Sequence, residues 1–135
     1  MSAHKEPRWL SVATVEELHE ILVRRFGGGS GIRDRGLLES AVARAPQRFH
    51  YVEDADHASL AATLAFGIAK NHPFVDGNKR TAWIVAATFL EINGHRVTAS
   101  ETETVISVVA LASGEMSEPD FAEWLRTNTR QRRRS

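Results

Sequence analysis

The residues best suited to chemistry lie in one short segment, residues 71–83, which reads NHPFVDGNKRTAW. Within it Lys79 and Arg80 stand side by side at the predicted start of a helix. Each cation there opposes the helix dipole by about 0.3 to 1 kcal/mol, so an acidic residue would be the stabilising choice. An anion held between the free N–H groups of residues 77–80 and the two side chains would remove this conflict, and a phosphate fits that description.

The residues ahead of the two cations add further parts of a phosphate site. Gly77 lets the backbone approach a ligand closely, and Asn78 can fix the turn through its side-chain amide. Asp76 would repel a neighbouring phosphate unless a divalent cation lay between them, which predicts a phosphate-bound Mg²⁺. His72 lies at the other end of the loop, held by Pro73, and an imidazole is suited to take a proton from an attacking hydroxyl.

Each of these residues also has an ordinary structural interpretation. Asp76 alone is equally well explained as the N-cap of the following helix. His72 alone is more often a partly buried histidine with satisfied hydrogen bonds, and Lys79 with Arg80 could form a surface pair. The functional interpretation rests on the conjunction of all of them within one short loop, which chance would rarely supply.

The composition excludes several other kinds of site. Seventeen basic and seventeen acidic residues give no net charge, so anion binding must come from a local site rather than from the field of the whole molecule. The chain has no cysteine, which excludes disulfides and thiolate metal sites. The segment GGGSG, residues 27–31, is not followed by the Gly-Lys-Ser/Thr of a P-loop, and we expect a flexible link there. No zinc-hydrolase histidine pairing and no serine elbow is present.

Three helices are predicted ahead of the site. A capping box at Thr14 begins the first, which the glycines from residue 27 end. Asp34 caps the second, and Pro46 is expected to end it. Residues 46–56 hold aromatic and β-favouring residues without a helical period, which predicts a loop or small hairpin projecting from the bundle. The third helix is predicted from about His57 to Lys70.

A fourth helix follows the site directly. It is predicted to begin near Gly77 or Asn78, with Asp76 as its N-cap, and to end at Asn93 and Gly94. Because it is apolar nearly all round, we expect it to be the axis of the core.

Two more helices complete an all-α fold. A capping box at Ser100 opens the fifth, Gly114 ends it, and Ser117 begins the sixth. The Arg-rich end that starts at Arg126 is expected to be solvated, with residues 128–135 as a tail. The pattern predicts a compact bundle of about six helices in a single domain, residues 1–135, with its core at about residues 10–127.

The N-terminal residues lack the apolar region of a signal peptide. The longest apolar stretch, residues 82–90, is far shorter than the roughly 20 residues of a membrane span. We therefore expect a cytoplasmic protein.

The string HPFVDGNKR resembles the signature of the Fic/Doc family, and specifically of its Doc-type (death-on-curing) toxins. Residues 26–47 and 77–97 resemble the N-terminal and central helices of the same family. The resemblance covers most of the chain, from about residue 15 to residue 127, and implies the helical Fic/Doc fold.

Fic enzymes of the adenylylating branch carry Gly-Asn-Gly-Arg and a second arginine three residues further on. Here Lys79 replaces that glycine and Trp83 replaces the second arginine. The lysine should crowd the usual seat of the α- and β-phosphates and suit a terminal phosphate, which would face His72. The resemblance therefore implies a Doc-like kinase that transfers the γ-phosphoryl of ATP to a threonine of elongation factor Tu and blocks translation. Adenylyl transfer and a non-catalytic phosphate-binding domain are the alternatives.

The resemblance also assigns roles to single residues. His72 is the base and Asp76 the Mg²⁺ ligand, and ATP and Mg²⁺ are the implied cofactors. The phosphate holders are the backbone of Gly77 with Asn78, Lys79 and Arg80. Residues 46–56 match the family's flap, which docks the target segment, possibly as an added strand.

Regulation is expected to come from a second protein. Many Fic proteins carry an inhibitory helix with Ser/Thr-x-x-x-Glu followed by Gly or Asn, but the only such spacing here, Ser2 to Glu6, is followed by Pro7. We therefore expect a Phd-like antitoxin whose disordered segment folds onto the bundle. No direct nucleic-acid or membrane partner is expected.

Overall fold

The computed structural model describes residues 5–132 and confirms the all-α fold class. Over these residues it contains α1 (Val12–Phe26), α2 (Arg35–Tyr51), α3 (His57–Asn71), α4 (Asn78–Ile92), α5 (Glu101–Ser113) and α6 (Glu118–Thr127). Two three-residue strands, β1 (His95–Val97) and β2 (Thr129–Gln131), pair antiparallel. No helix in this part of the chain has the length and apolar character needed to cross a membrane.

The centre of the core is α3 rather than α4. It packs against α2, α4, α5 and α6, and most of its residues are buried. Gly67 lies so close to α2 that a Cβ at this position would be 3.1 Å from the Cβ of Ala41. The prediction that α4 is the axis is wrong, because Trp83 and Ile84 on α4 are only partly buried while the small residues of α3 let other helices approach it closely.

The start of α1 lies earlier than predicted. Ser11 is the N-cap, and its side chain accepts the N–H of Thr14 at 3.1 Å. Thr14 is therefore inside the first turn and does not begin a capping box. The helix ends at Phe26 as predicted, because Gly27 takes a positive φ of 85°.

The predicted loop or hairpin at residues 46–56 is wrong, because α2 continues through Pro46 to Tyr51. A proline inside a helix removes one backbone hydrogen bond, here the bond to the carbonyl of Val42. Burial offsets this loss, since Phe49 is 7% exposed and packs edge-on against Trp9 with ring centroids 5.9 Å apart. Only residues 52–56 link α2 to α3, and this segment is too short to form a projecting hairpin.

Helix α5 begins and ends as predicted, and α6 begins as predicted. Ser100 and Glu103 form a reciprocal capping box at the start of α5, and Gly114 ends that helix in the left-handed region. Ser117 caps α6 by accepting the N–H of Asp120. These signals are local in the sequence, which is why they could be identified without a structure.

The predicted solvated tail is wrong for its described part. Arg126 belongs to α6, and its Nε donates to Asp56, 70 residues away, at 2.6 Å. Strand β2 pairs with β1, so that His95 lies opposite Gln131. The remainder of the predicted tail, residues 133–135, lies outside the described residues, as does Ser2.

Candidate active site

The predicted site lies on a loop, residues 72–77, between α3 and α4. The loop begins and ends in left-handed backbone, at His72 (φ 50°, ψ 55°) and at Gly77 (φ 75°, ψ 23°). Few residues other than glycine adopt this conformation, although histidine is enriched among those that do. His72 thus leaves helical geometry, as the following Pro73 predicts, and the chain from His72 to Arg80 is not one continuous helix.

Asn78 fixes the shape of the loop. Its Oδ1 accepts the N–H of Phe74 and its Nδ2 donates to the Phe74 carbonyl, both at 3.0 Å. The side chain is buried, and both ends of the amide are occupied. The prediction that Asn78 fixes the turn is confirmed, and the same contacts make its side chain a part of the loop rather than an open phosphate ligand.

Two buried rings support the loop from below. Phe74 is 1% exposed and stacks on the imidazole of His19, with centroids 3.9 Å apart and planes inclined by 7°. His19 is itself 1% exposed, and its Nε2 lies 2.8 Å from the carbonyl oxygen of Asp76. Sequence reasoning missed His19. The available signal was its position four residues after the buried Val15 of α1, on the face that meets the core.

Asp76 does not cap α4, so that prediction is wrong. Gly77 occupies the N-cap position, and glycine has no side chain that could bond to the first turn. The carboxylate of Asp76 turns back onto the loops instead: Oδ1 accepts the N–H of Gly77 at 2.8 Å, and Oδ2 accepts the N–H of Gly29 at 3.3 Å. Because the residue is exposed, its remaining lone pairs face solvent and are free to bind a cation.

The glycine segment, residues 27–31, is not a free link as expected but packs against this loop. The carbonyl of Gly31 accepts the N–H of Val75 at 3.1 Å. A Cβ at Gly28 would lie 2.8 Å from Asp76 Oδ2, and Gly28 also has a φ of 109°. A side chain there would be strained and would collide with the carboxylate, so glycine is needed for this close approach.

The first turn of α4 combines the positive end of the helix dipole with two cations. It contains no acidic residue and has no side-chain cap. The N–H of Thr81 is the first to bond back, to the Gly77 carbonyl at 2.9 Å, so the N–H groups of residues 78–80 have no partner within the helix. Lys79 and Arg80 are both exposed beside these donors. The electrostatic conflict inferred from the sequence is therefore present.

The imidazole of His72 is exposed, while its carbonyl is held in place. Arg33 donates through Nε to the His72 carbonyl at 2.7 Å and through Nη2 to the Asn71 carbonyl at 2.8 Å. The backbone N–H of Arg33 also donates to the Pro73 carbonyl at 2.7 Å. Sequence reasoning missed Arg33, and no motif or spacing in the sequence connects it to the loop.

Asp76, the acidic residue of the loop, is suited to bind a metal ion that is also bound by the phosphates of a nucleotide. Across residues 5–132 no group of three or more His, Cys, Asp or Glu side chains is placed to hold a metal ion. Mg²⁺ is usually bound through one or two carboxylates together with substrate phosphates. The single exposed carboxylate of Asp76, beside a helix terminus suited to phosphate, meets that description.

The chain is similar to proteins of one known family. The profile of the Fic/DOC family matches residues 9–90, which include α1, α2, α3 and the loop. A protein named Toxin Doc from Mycolicibacterium smegmatis is 53% identical over 76 residues, which are 55% of this chain and 58% of that protein. A protein named Protein kinase doc from Escherichia phage P1 is 36% identical over 119 residues, which are 88% of this chain and 94% of that protein.

The match to the mycobacterial relative thus spans less than two thirds of its length, while the match to the phage relative spans nearly all of it. Both relatives carry the name Doc, and the residues matched by the family profile contain the whole loop. This chain therefore belongs to the Fic/DOC family and, within it, to the Doc-type toxins.

Proposed function

We propose that this protein is a Doc-like toxin kinase that transfers the γ-phosphoryl of ATP to a protein hydroxyl. The proposed acceptor is a threonine of elongation factor Tu in the cytoplasm, so that translation stops. The observation that carries the proposal is the uncapped first turn of α4, in which Lys79 and Arg80 meet no acidic residue. The 36% identity to a phage protein named as a protein kinase, over 88% of this chain, supports it.

The phosphates of ATP bind at the N-terminus of α4. The backbone N–H groups of residues 78–80 donate to phosphate oxygens, and Lys79 and Arg80 offset the negative charge. Gly77 contributes its left-handed backbone rather than its N–H, since that group donates to Asp76. Asn78 contributes its backbone N–H and holds the turn through its two bonds to Phe74.

Asp76 is the proposed ligand of Mg²⁺. When bound, the ion would supply positive charge that offsets the negative charge of the phosphates. The N–H groups of Gly77 and Gly29 orient the carboxylate by donating to one oxygen each, and every carboxylate oxygen retains a further acceptor position.

His72 is the proposed general base. The acceptor hydroxyl oxygen bonds to the γ-phosphorus, the bond from that phosphorus to the β,γ-bridging oxygen breaks, ADP leaves, and the hydroxyl proton passes to the imidazole. Positioning and charge neutralisation supply most of the catalysis in such a reaction. The exposure of His72 suits an acceptor that is itself a protein, because the hydroxyl must reach the imidazole from solvent.

Transfer of the γ-phosphoryl is favoured over transfer of AMP. Trp83 stands where the adenylylating branch has its second arginine, and its ring packs against Trp124 with centroids 5.9 Å apart. This position therefore serves packing between α4 and α6 and offers no charge to a phosphate. Lys79 adds charge at the helix terminus itself, which suits the more highly charged terminal phosphate.

A Phd-like antitoxin is the proposed partner that silences the enzyme. The protein named Toxin Doc is a relative, and a toxin needs a means of restraint. Glu6 lies in irregular backbone ahead of α1 and accepts the indole N–H of Trp9 at 2.8 Å, so it does not form part of an inhibitory helix.

The proposal is tested by incubating the protein with Mg²⁺, elongation factor Tu and ATP labelled at either the γ- or the α-phosphate. We expect the γ-label alone on the factor, and no label with His72→Ala. Transfer of the α-label would indicate adenylylation. ATP binding without transfer of either label, to the factor or to any protein of a cell lysate, would indicate a non-catalytic binding domain.

A further inference from the structure

The loop that carries the site is held at each end by one side chain from the preceding part of the chain. At the His72 end, the guanidinium of Arg33 binds two consecutive carbonyl oxygens. At the other end, the imidazole of His19 meets the carbonyl of Asp76. The two contacts are made by separate elements, α1 for His19 and the α1–α2 link for Arg33.

The Arg33 contact stabilises an unfavourable backbone conformation. A non-glycine residue in the left-handed region costs roughly 1 to 2 kcal/mol, and His72 lies there with a φ of 50°. The guanidinium donates to the carbonyls of Asn71 and His72, which are the last acceptors at the negative end of α3. A cation with two donors thus fixes the peptide group on the C-terminal side of His72 and, with it, the direction of the imidazole.

The His19 contact acts on the opposite end. Because the carbonyl of Asp76 can only accept, the Nε2 of His19 must carry the proton that is shared at 2.8 Å. The stacked ring of Phe74 fixes the plane of the imidazole. The donor therefore sets the peptide group between Asp76 and Gly77, from which the metal-binding carboxylate and the first turn of α4 both extend.

We infer that Arg33 and His19 are positioning residues with separate tasks, Arg33 for the base and His19 for the phosphate and metal end of the loop. This inference rests on the proposed kinase function for its kinetic consequences. Neither residue touches the reacting atoms in the proposed reaction, so each acts through the backbone of another residue.

Steady-state kinetics of phosphoryl transfer from Mg·ATP to elongation factor Tu separate the two tasks. Arg33→Ala should lower kcat about 10- to 100-fold, since small misplacement of a reacting group has effects of that size, with KM for Mg·ATP nearly unchanged. His19→Phe keeps a stacking ring but loses the donor, and it should raise KM for Mg·ATP about 10-fold with a much smaller change in kcat.

Matched variants guard against a general loss of structure. Arg35→Ala removes a neighbouring exposed arginine that pairs with Glu16 at 3.2 Å, and it should leave both constants unchanged. His19→Gln keeps an N–H donor without the ring, and it should restore most of the affinity lost in His19→Phe. Equal damage by His19→Gln and His19→Phe, or a parallel change of kcat and KM in Arg33→Ala, would overturn the inference.

Two measurements test the inference without catalysis. Calorimetric titration with Mg·ATP should give weaker binding for His19→Phe and wild-type binding for Arg33→Ala. In NMR spectra, Arg33→Ala should shift the imidazole signals of His72 and leave the amide signal of Gly77 unchanged. His19→Phe should shift the amide signal of Gly77 and leave the imidazole signals of His72 unchanged. If the wild type neither binds nor uses ATP, the proposed function is wrong. The NMR spectra then still test whether Arg33 and His19 have separate tasks. Joint movement of both signals in both variants, or movement in neither, would contradict separate tasks.

Discussion

The guanidinium of Arg80 lies over the ring of Phe26, with its Cζ 4.4 Å from the ring centre, and so connects the first turn of α4 to the last residue of α1. Phe26 is 56% exposed, so the ring does not serve to fill the core. A cation over an aromatic face gains about 0.5 to 1 kcal/mol at an exposed site. The contact therefore restrains Arg80 at the helix terminus before any ligand arrives.

Loss of this ring should weaken the use of ATP. Phe26→Leu keeps an apolar side chain but removes the aromatic face, and KM for Mg·ATP should rise about two- to fivefold, the equivalent of the cation–π energy. Phe26→Tyr retains the face and should behave as wild type. Steady-state kinetics measure the difference, and equal KM values for the Leu and Tyr variants would show that the aromatic face is unimportant.

Removal of a cation from the start of α4 should stabilise the unliganded protein. Lys79→Ala relieves a dipole repulsion of about 0.3 to 1 kcal/mol, so the free energy of unfolding should rise by that amount, while the added stability given by Mg·ATP should shrink. Urea denaturation with and without Mg·ATP measures both effects.

Lys70 provides the opposite case for comparison. It lies in the last turn of α3, where a cation is favourable, and its Nζ donates to the Ala112 carbonyl at 3.2 Å. Lys70→Ala should therefore lower the free energy of unfolding and leave the response to Mg·ATP unchanged. A Lys79→Ala protein that is less stable than wild type, yet equally stabilised by Mg·ATP, would contradict a phosphate site at α4.

Substitution of His72 should separate catalysis from folding. His72→Ala should abolish phosphoryl transfer and also lower the free energy of unfolding by about 1 kcal/mol, because alanine is strained at positive φ. Asparagine tolerates that conformation, so His72→Asn should abolish transfer with little change in stability. Transfer assays and urea denaturation on the two variants check this. Label transfer by His72→Asn at the wild-type rate would exclude the histidine as the base.

The parts of the fold that depend on neighbouring residues in sequence could be predicted. The capping box at Ser100 and the helix stops at Gly27 and Gly114 use contacts within a few residues, and the loop itself followed from the residue types around Gly77. Such signals act through local backbone geometry, which the sequence specifies directly.

The parts that depend on distant contacts could not be predicted. Pro46 ends a helix in most settings, but the buried Phe49 keeps α2 helical. The sequence predicts a solvated tail at Arg126, because the partner of this residue, Asp56, lies far away in the sequence. His19 reaches the site only through the packing of α1 beneath the loop. In each case tertiary burial or pairing decides the outcome, and a single sequence does not display it.

A pair of histidines away from the site should make stability sensitive to mild acid. Nδ1 of His57 lies 2.7 Å from Nε2 of His95, so one nitrogen donates and the other accepts. Burial lowers the pKa of both side chains from the usual 6.5, and the charge of His57 lowers the pKa of His95 further, against an opposing effect of Asp56 on each. Since the folded pKa values lie below those of the unfolded chain, the unfolded state binds more protons as the pH falls. The contribution of the two neutral histidines to the free energy of unfolding is therefore complete above about pH 6.5 and is lost as the pH falls below that value.

His95→Gln removes one of the two titrating groups, so the free energy of unfolding should fall less steeply between about pH 7 and about pH 5 than it does in the wild type. His50→Gln is the control, because it removes an exposed imidazole that is not part of this pair, and it should keep the wild-type slope. Urea denaturation at several pH values gives each slope. If the free energy of unfolding falls equally steeply in His95→Gln and in the wild type, the paired histidines do not account for the acid sensitivity. Protonation of other groups in the chain must then account for it.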